Sequence, residues 1–444
     1  MTEIAQSAAA AGLLDRARWS RLADSLAVAV AVSLPWSTSA TSLLIALWLL
    51  AVLPTLRPAE FVRELAHPAG GLPVLLWLFA MIGGLWSEAG LFEQLSAAKG
   101  MHKLLVIPLL LIHFRRSDKG AWALGGFLVS CIPLLGLSWL LYAWPQAPWR
   151  GGPMAGVPVH DYIVQSAEFL ICAFALVHLA LDAWQRHRRA AALGMGVLAL
   201  LFLANMGFVA TGRTSITAAL VLLLLLAVQR FGRRGILVAI LIGAVLASLT
   251  FASSSYLRGR TLGVIDEIER YRTTSAETSS GFRLEFWKKS VAFVAEAPLV
   301  GHGTGSIPVL FRRAATGESG IAAAVTGNPH NQVLEIAVQF GLIGVSLLFA
   351  MWIAHFLLFR GTSLAAWLGQ ALVAQTMVGS LFLSYLLDFS TGWIYVFGVG
   401  VLGGMAAAEA RAGVVADSQT ADGLLPAGHH PPVSLHAARV SPTR

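Results

Sequence analysis

Residues 326–345 read "TGNPHNQVLEIAVQFGLIGV". The stretch opens as a loop and closes as a membrane helix, with His330 at the changeover. Asn328 suits an N-cap and Pro329 the first helical position, which puts His330 in the first turn. An ionisable ring at the mouth of an apolar helix is either an anchor for lipid headgroups or part of a site.

The rest of the chain shows what kind of helix this is. Of 444 residues, 57% are hydrophobic and only 12% charged, a balance foreign to soluble domains. The chain therefore reads as an all-α integral membrane protein. A span needs about 20 apolar residues, and about twelve candidates recur, at 23–37, 39–56, 71–86, 101–114, 120–142, 162–182, 191–209, 215–229, 235–252, 330–358, 364–386 and 390–408. Arg16, Arg18 and Arg21 precede the first, and no basic-apolar-small cleavage pattern is present, so that helix is expected to be retained.

Orientation follows from the sorting of Lys and Arg among short loops. With the N-terminus in the cytoplasm, "RPAEFVREL", "FRRSDKG", "QRHRRA", "QRFGRRG" and "FRGTS" all fall on that side. The opposite side receives the short link around Arg213, the loop from Trp144 to His160, and the long segment 253–329. Both termini are then cytoplasmic. The net charge of +8 partly reflects these anchors, and no nucleic-acid partner is expected. Cys131 and Cys172 lie in apolar spans and read as buried thiols.

Four regions result: an N-terminal transmembrane bundle over 1–252 with about nine helices, an external loop domain over 253–329, C-terminal transmembrane helices over 330–408, and a cytoplasmic tail over 409–444. The tail is poor in large apolar residues and is expected to be disordered; its His429 and His430 are a weak metal pattern. Neither an internal repeat nor a pair of broken helices is evident, which counts against a carrier.

Within the external segment, "GFRLEFWKKSVAFVAEA" (281–297) reads as a helix lying on the membrane, aromatic side down and cations near headgroups. A Gly-rich turn, "PLVGHGTGSIP", follows.

The positive end of a helix dipole disfavours imidazolium at His330, so a neutral ring able to accept a proton is expected. Arg213, in a short link between apolar helices, sits where an unpartnered charge is costly. Arg283 lies on the surface helix, with Arg258, Arg260, Arg270 and Arg272 before it. Guanidinium groups bind phosphate oxygens in a bidentate manner. The bland alternatives are an Arg283 that snorkels and stacks on Trp287, and loop arginines bridged to Asp266, Glu267 and Glu269 in water. Glu335 stands at i+4 spacing from Asn331 and is left without a role. No convergent metal-ligand spacing and no nucleotide-binding pattern is present, so neither metal nor cofactor is expected.

His330-Asn331, nine residues, then Gly341-Leu342-Ile343-Gly344 resembles the signature H-[NSQ]-x9-G-x-x-[GTY] of bacterial O-antigen ligases. Arg283 and Trp287 four apart, "PLVGHGTG" after them, and Arg213 following a glycine fit the same pattern. The resemblance covers roughly 205–350. It implies a fold similar to helical membrane glycosyltransferases of the GT-C type, with about twelve spans and one large periplasmic loop domain in the bacterial inner membrane.

It also implies a reaction. A glycan passes from undecaprenyl pyrophosphate to a sugar hydroxyl of the lipid A-core oligosaccharide, at the periplasmic face among membrane lipids. His330 would be the catalytic histidine, Arg213 and Arg283 the diphosphate ligands, with Arg258, Arg260, Arg270, Arg272 and Asn331 as further candidates for substrate binding. Gly341 and Gly344 are expected to serve close helix packing. An O-antigen polymerase is the nearest alternative, and a small-anion permease is the alternative of another class.

Overall fold

The computed structural model describes residues 15–423 apart from 148, 150–153 and 211; the side chains of scattered positions in 233–261, and those of 413–423, lie outside that description. The described chain is helical, with no strand. In order the helices are α1 Arg16–Ser33, α2 Thr38–Val52, α3 Pro58–Ala66, α4 Pro68–Ile82, α5 Leu91–Met101, α6 Val106–Phe114, α7 Gly120–Ala143 and α8 Tyr162–Gln185. They continue with α9 Arg189–Phe208, α10 Arg213–Ser253, α11 Ser255–Thr274, α12 Ser279–Glu296, α13 Ser306–Ala314, α14 Gln332–Leu358, α15 Leu364–Ser380 and α16 Phe389–Gly423.

Among the described residues, nine helices are long and apolar enough to cross a membrane. The spans expected at 23–37, 235–252 and 364–386 overlap helical chain, in α1, which ends at Ser33, the second half of α10, and α15, which ends at Ser380. The segment read as a short span at 101–114 belongs to a longer run from Leu91 to Phe114. Its first half is hidden in the sequence by Glu93, Gln94 and Lys99. Lys103 is buried, its ammonium donating to the carbonyls of Leu387 at 3.3 Å and Asp388. The last helix runs on to Gly423, past the expected start of the tail at 409, and His429 and His430 lie outside the described residues.

The basic loops brace one end of the bundle. Arg115 pairs with Glu64 at 2.6 Å and Arg116 with Glu60, tying the turn after α6 to α3. Arg230 pairs with Asp182 at 2.7 Å and lies 4.2 Å over the ring of Trp367. Hydrocarbon fills the middle: Trp48, Phe114, Phe169, Phe202, Phe340, Trp352 and Tyr395 are all fully buried.

The segment 281–297 is a helix, as its pattern predicts, but its aromatic side does not face lipid. Phe286 and Phe293 are buried, each edge-on to Phe311 of α13, in a cluster that includes Val338 of α14. Burial against protein satisfies the same apolar face and gains ring-to-ring contacts that a headgroup layer does not offer.

The Gly-rich turn is also part of the bundle. At Gly341 α14 leaves helical geometry, with φ 60° and ψ −159°, a state essentially confined to glycine. The groups freed there are paired with the turn. Leu342 N–H donates to Pro298 O at 2.8 Å and Ile343 N–H to Leu299 O at 3.2 Å, while Val338 O and Gln339 O accept from His302 N–H at 2.9 Å and Gly303 N–H at 2.8 Å. A Cβ on Gly341 would lie 2.3 Å from the Leu299 carbonyl. Gly341 thus opens a socket for the turn, a different task from the helix packing expected of it. The socket lies about 14 Å along the helix axis from Gln332, at about 1.5 Å per residue, so this turn descends into the bundle. Non-helical backbone is tolerated at such depth where protein encloses it.

Candidate functional site

The head of α14 differs by three residues from the expected cap. Asn331, not Asn328, is the N-cap, its side chain accepting from Leu334 N–H at 3.0 Å. His330 therefore precedes the helix, in left-handed backbone with φ 55°, uncommon for a residue with a side chain. Asn328 holds it there: the Asn328 Oδ1 accepts the His330 N–H at 2.7 Å. Pro329 blocks helical geometry at Asn328, so the loop cannot be absorbed into α14.

Two neighbours from α12 frame the ring. Phe286 lies parallel to the imidazole, 6.5 Å between centroids at 24°. Trp287 donates its indole N–H to the Pro329 carbonyl at 3.0 Å, fastening α12 to the peptide just before His330. The imidazole is half-buried, and its Nδ1 is enclosed without a hydrogen-bond partner among the described residues. Burial, and secondarily the charge of Arg283, hold its pKa below the usual 6.5. The ring is therefore neutral at pH 7, as expected, although the cause is desolvation and a neighbouring cation instead of the helix dipole alone.

The structure thus brings together His330, Asn331, Arg283 and Trp287. Arg213 is the first residue of α10, half-buried, and makes no hydrogen bond or ion pair to His330 or Asn331 among the described residues. Its surroundings are tightly packed: a Cβ on Gly212 would sit 2.5 Å from the Ser166 hydroxyl, which bonds Ser215 at 2.8 Å. Arg258 donates to the carbonyls of Phe251, at 2.9 Å, and Ala252, closing the end of α10. Arg270 and Arg272 are exposed on α11, and the side chain of Arg260 lies outside the described residues. Tyr271 of α11 donates to Glu285 of α12 at 2.7 Å, linking those arginines' helix to the His330 corner.

The segment 381–388 belongs to this corner, although its apolar letters merge it into the span expected at 364–386. It is a loop that closes over the head of α14. Asn331 Nδ2 donates to Leu381 O at 2.9 Å, and Gln332 Oε1 accepts from Leu386 N–H at 3.0 Å and Leu387 N–H at 3.3 Å. Ser384 reaches both Asn328, at 2.9 Å, and Glu335. The signal available was Lys103, a cation inside an apolar run, which marks a function or a polar partner at that depth. Its partners are the carbonyls of this loop.

The corner offers a neutral, half-buried nitrogen base on a fixed backbone, with a cation beside it. That pairing suits removal of a hydroxyl proton next to an anionic group. No curated protein matches the chain at a significant level. Residues 198–349 match the family model described as O-antigen ligase, and this match, which runs from before Arg213 to beyond Gly344, supports a place for the chain in the O-antigen ligase/polymerase superfamily.

Proposed function

We propose that the chain is an O-antigen ligase of the bacterial inner membrane, transferring the O-antigen glycan from undecaprenyl pyrophosphate to a sugar hydroxyl of lipid A-core at the periplasmic face. The observation that carries this reading is His330, kept neutral and held in left-handed backbone beside Arg283, inside the matched segment. His330 takes the proton of the attacking hydroxyl, a role worth about 10²–10⁴-fold in rate. Arg283 and Arg213 stabilise the charge that builds on the departing pyrophosphate, and Asn331 orients the mouth of the site. Attack at the anomeric carbon with direct loss of undecaprenyl pyrophosphate inverts its configuration. No metal or nucleotide enters the step, and GT-C-like architecture accommodates two lipid-anchored substrates arriving sideways through the bilayer.

The test is lipopolysaccharide gel analysis, with a parallel assay of lipid-linked glycan, in a deletion strain carrying wild type or His330→Ala. The ligase reading predicts long O-antigen on lipid A-core with wild type only, and polymer accumulating on the lipid carrier with the variant. Retention of lipopolysaccharide bearing single repeat units identifies a polymerase instead. Unchanged lipopolysaccharide sinks both enzymatic readings and points to the permease alternative.

A further inference from the structure

Glu335 stands one turn into α14, 7% exposed, and forms no ion pair among the described residues. A carboxyl group enclosed in an apolar bundle must find hydrogen bonds. The partner here is the Ser384 hydroxyl, brought in by the 381–388 loop.

Counting hydrogens fixes how this contact works. The Asn328 side-chain atom that faces His330 receives a main-chain N–H at 2.7 Å, so it is the amide oxygen. The same oxygen lies 2.9 Å from Ser384 Oγ, which must then donate to it. A hydroxyl has one hydrogen. The contact between Ser384 and Glu335 consequently needs its hydrogen from the carboxyl side.

We propose that Glu335, as a hydrogen-bond donor to Ser384, is a positioning residue for His330. The chain runs from the Glu335 O–H to Ser384 Oγ, from the Ser384 O–H to Asn328 Oδ1, and meets the His330 N–H there. It ends on the main chain and not on the imidazole, so it carries no proton to the base. What it sets is the left-handed backbone from which the ring is aimed, a state that a residue with a side chain seldom holds unaided. The inference rests on the glycan-transfer reading for its consequence in rate, and on hydrogen bonds alone for its structural content.

Full-length wild type, Glu335→Gln, Glu335→Leu and Ser384→Ala are compared in detergent, with a polyprenyl pyrophosphate-linked glycan as donor and lipid A-core as acceptor, each first checked for a cooperative melt. A glutamine amide donates to Ser384 as the carboxyl does, so Glu335→Gln is expected to keep kcat within about threefold, whereas a misaimed base costs about 100-fold in Glu335→Leu and Ser384→Ala, with acceptor KM little changed. Hydrogen exchange at the His330 amide is expected to quicken at least about tenfold in the latter two and not in Glu335→Gln.

A folded Glu335→Gln as slow as Ser384→Ala, or wild-type kcat and exchange in Ser384→Ala, overturns the proposal even where Glu335→Leu fails to fold. Wild type that transfers nothing refutes the glycan-transfer reading instead, and the exchange measurement then decides the hydrogen-bond chain by itself.

Discussion

Gly232 in α10 and Gly341 in α14 adopt nearly the same backbone state, φ 62° with ψ −158° and φ 60° with ψ −159°. At Gly232 nothing lies within 4 Å of where a Cβ would be. At Gly341 the same position lies inside the backbone of Leu299 and Val300. One break is a corner between two apolar runs, at the "QRFGRRG" end of the bundle. The other is a socket filled by another segment, and the catalytic candidate stands at the head of the same helix. Nearly identical dihedral angles thus serve unrelated purposes, and what distinguishes them is whether another segment lies against the glycine.

The comparison is most exposed at Gly341 itself. Gly341→Ala incurs the cost of a residue forced into this state, about 1–3 kcal/mol, and also expels the turn. A loss of about 4 kcal/mol or more is expected once overpacking is included, with transfer abolished; a melt like that of wild type would break the socket interpretation. Gly301→Ala approaches the same interface from the other side, its Cβ falling 2.4 Å from the Gln339 carbonyl carbon. It should cost nearly as much, and the double variant should cost less than the sum, because both remove one docking event. Strict additivity would show that the two glycines act separately.

Gly232→Ala probes the open break. Only the backbone term applies, about 1–3 kcal/mol at most, and transfer should persist; parity with Gly341→Ala would erase the distinction. Trp287→Phe removes one hydrogen bond to Pro329, about 1 kcal/mol, and should slow transfer several-fold while leaving the socket docked, as read by the melt.

The smallest effect concerns pH. As the proposed base, His330 has to be neutral, and burial and Arg283 both hold its pKa below 6.5. As pH falls through 6.5 the rate should hold, failing only below that value. Arg283→Gln removes one cause of the depression, so its acid limb should move upward from that of wild type, toward 6.5. A downward shift, or none, would sever Arg283 from His330.

Much of this was legible in the letters. Apolar runs gave the spans because a helix in lipid has little freedom in composition, and the 281–297 periodicity gave α12. The spacing from His330 to Gly341 picked out the head of α14 and a second point within it. What the letters could not distinguish was lipid from protein as the partner of an apolar face: Phe286 and Phe293 look the same for either. Nor could they show that Gly341 breaks its helix, since a glycine for packing and one for a kink are spelled alike. Ser384 was lost for a related reason. The loop 381–388 carries span-like residues, its centre at Ser384, Tyr385 and Leu386 being buried, and hydropathy registers burial without regard to secondary structure.

The left-handed backbone at His330 narrows which inert versions of this protein will be informative. Alanine and the β-branched residues resist that state, whereas asparagine enters it readily. His330→Asn should therefore preserve the loop between α12 and α14 while removing the base, leaving a protein that loads donor and acceptor and goes no further. Such a stalled form is the preparation in which both substrates can be captured side by side, and loss of its donor binding relative to wild type would show that the imidazole itself, and not only the backbone it sits on, contributes to donor binding.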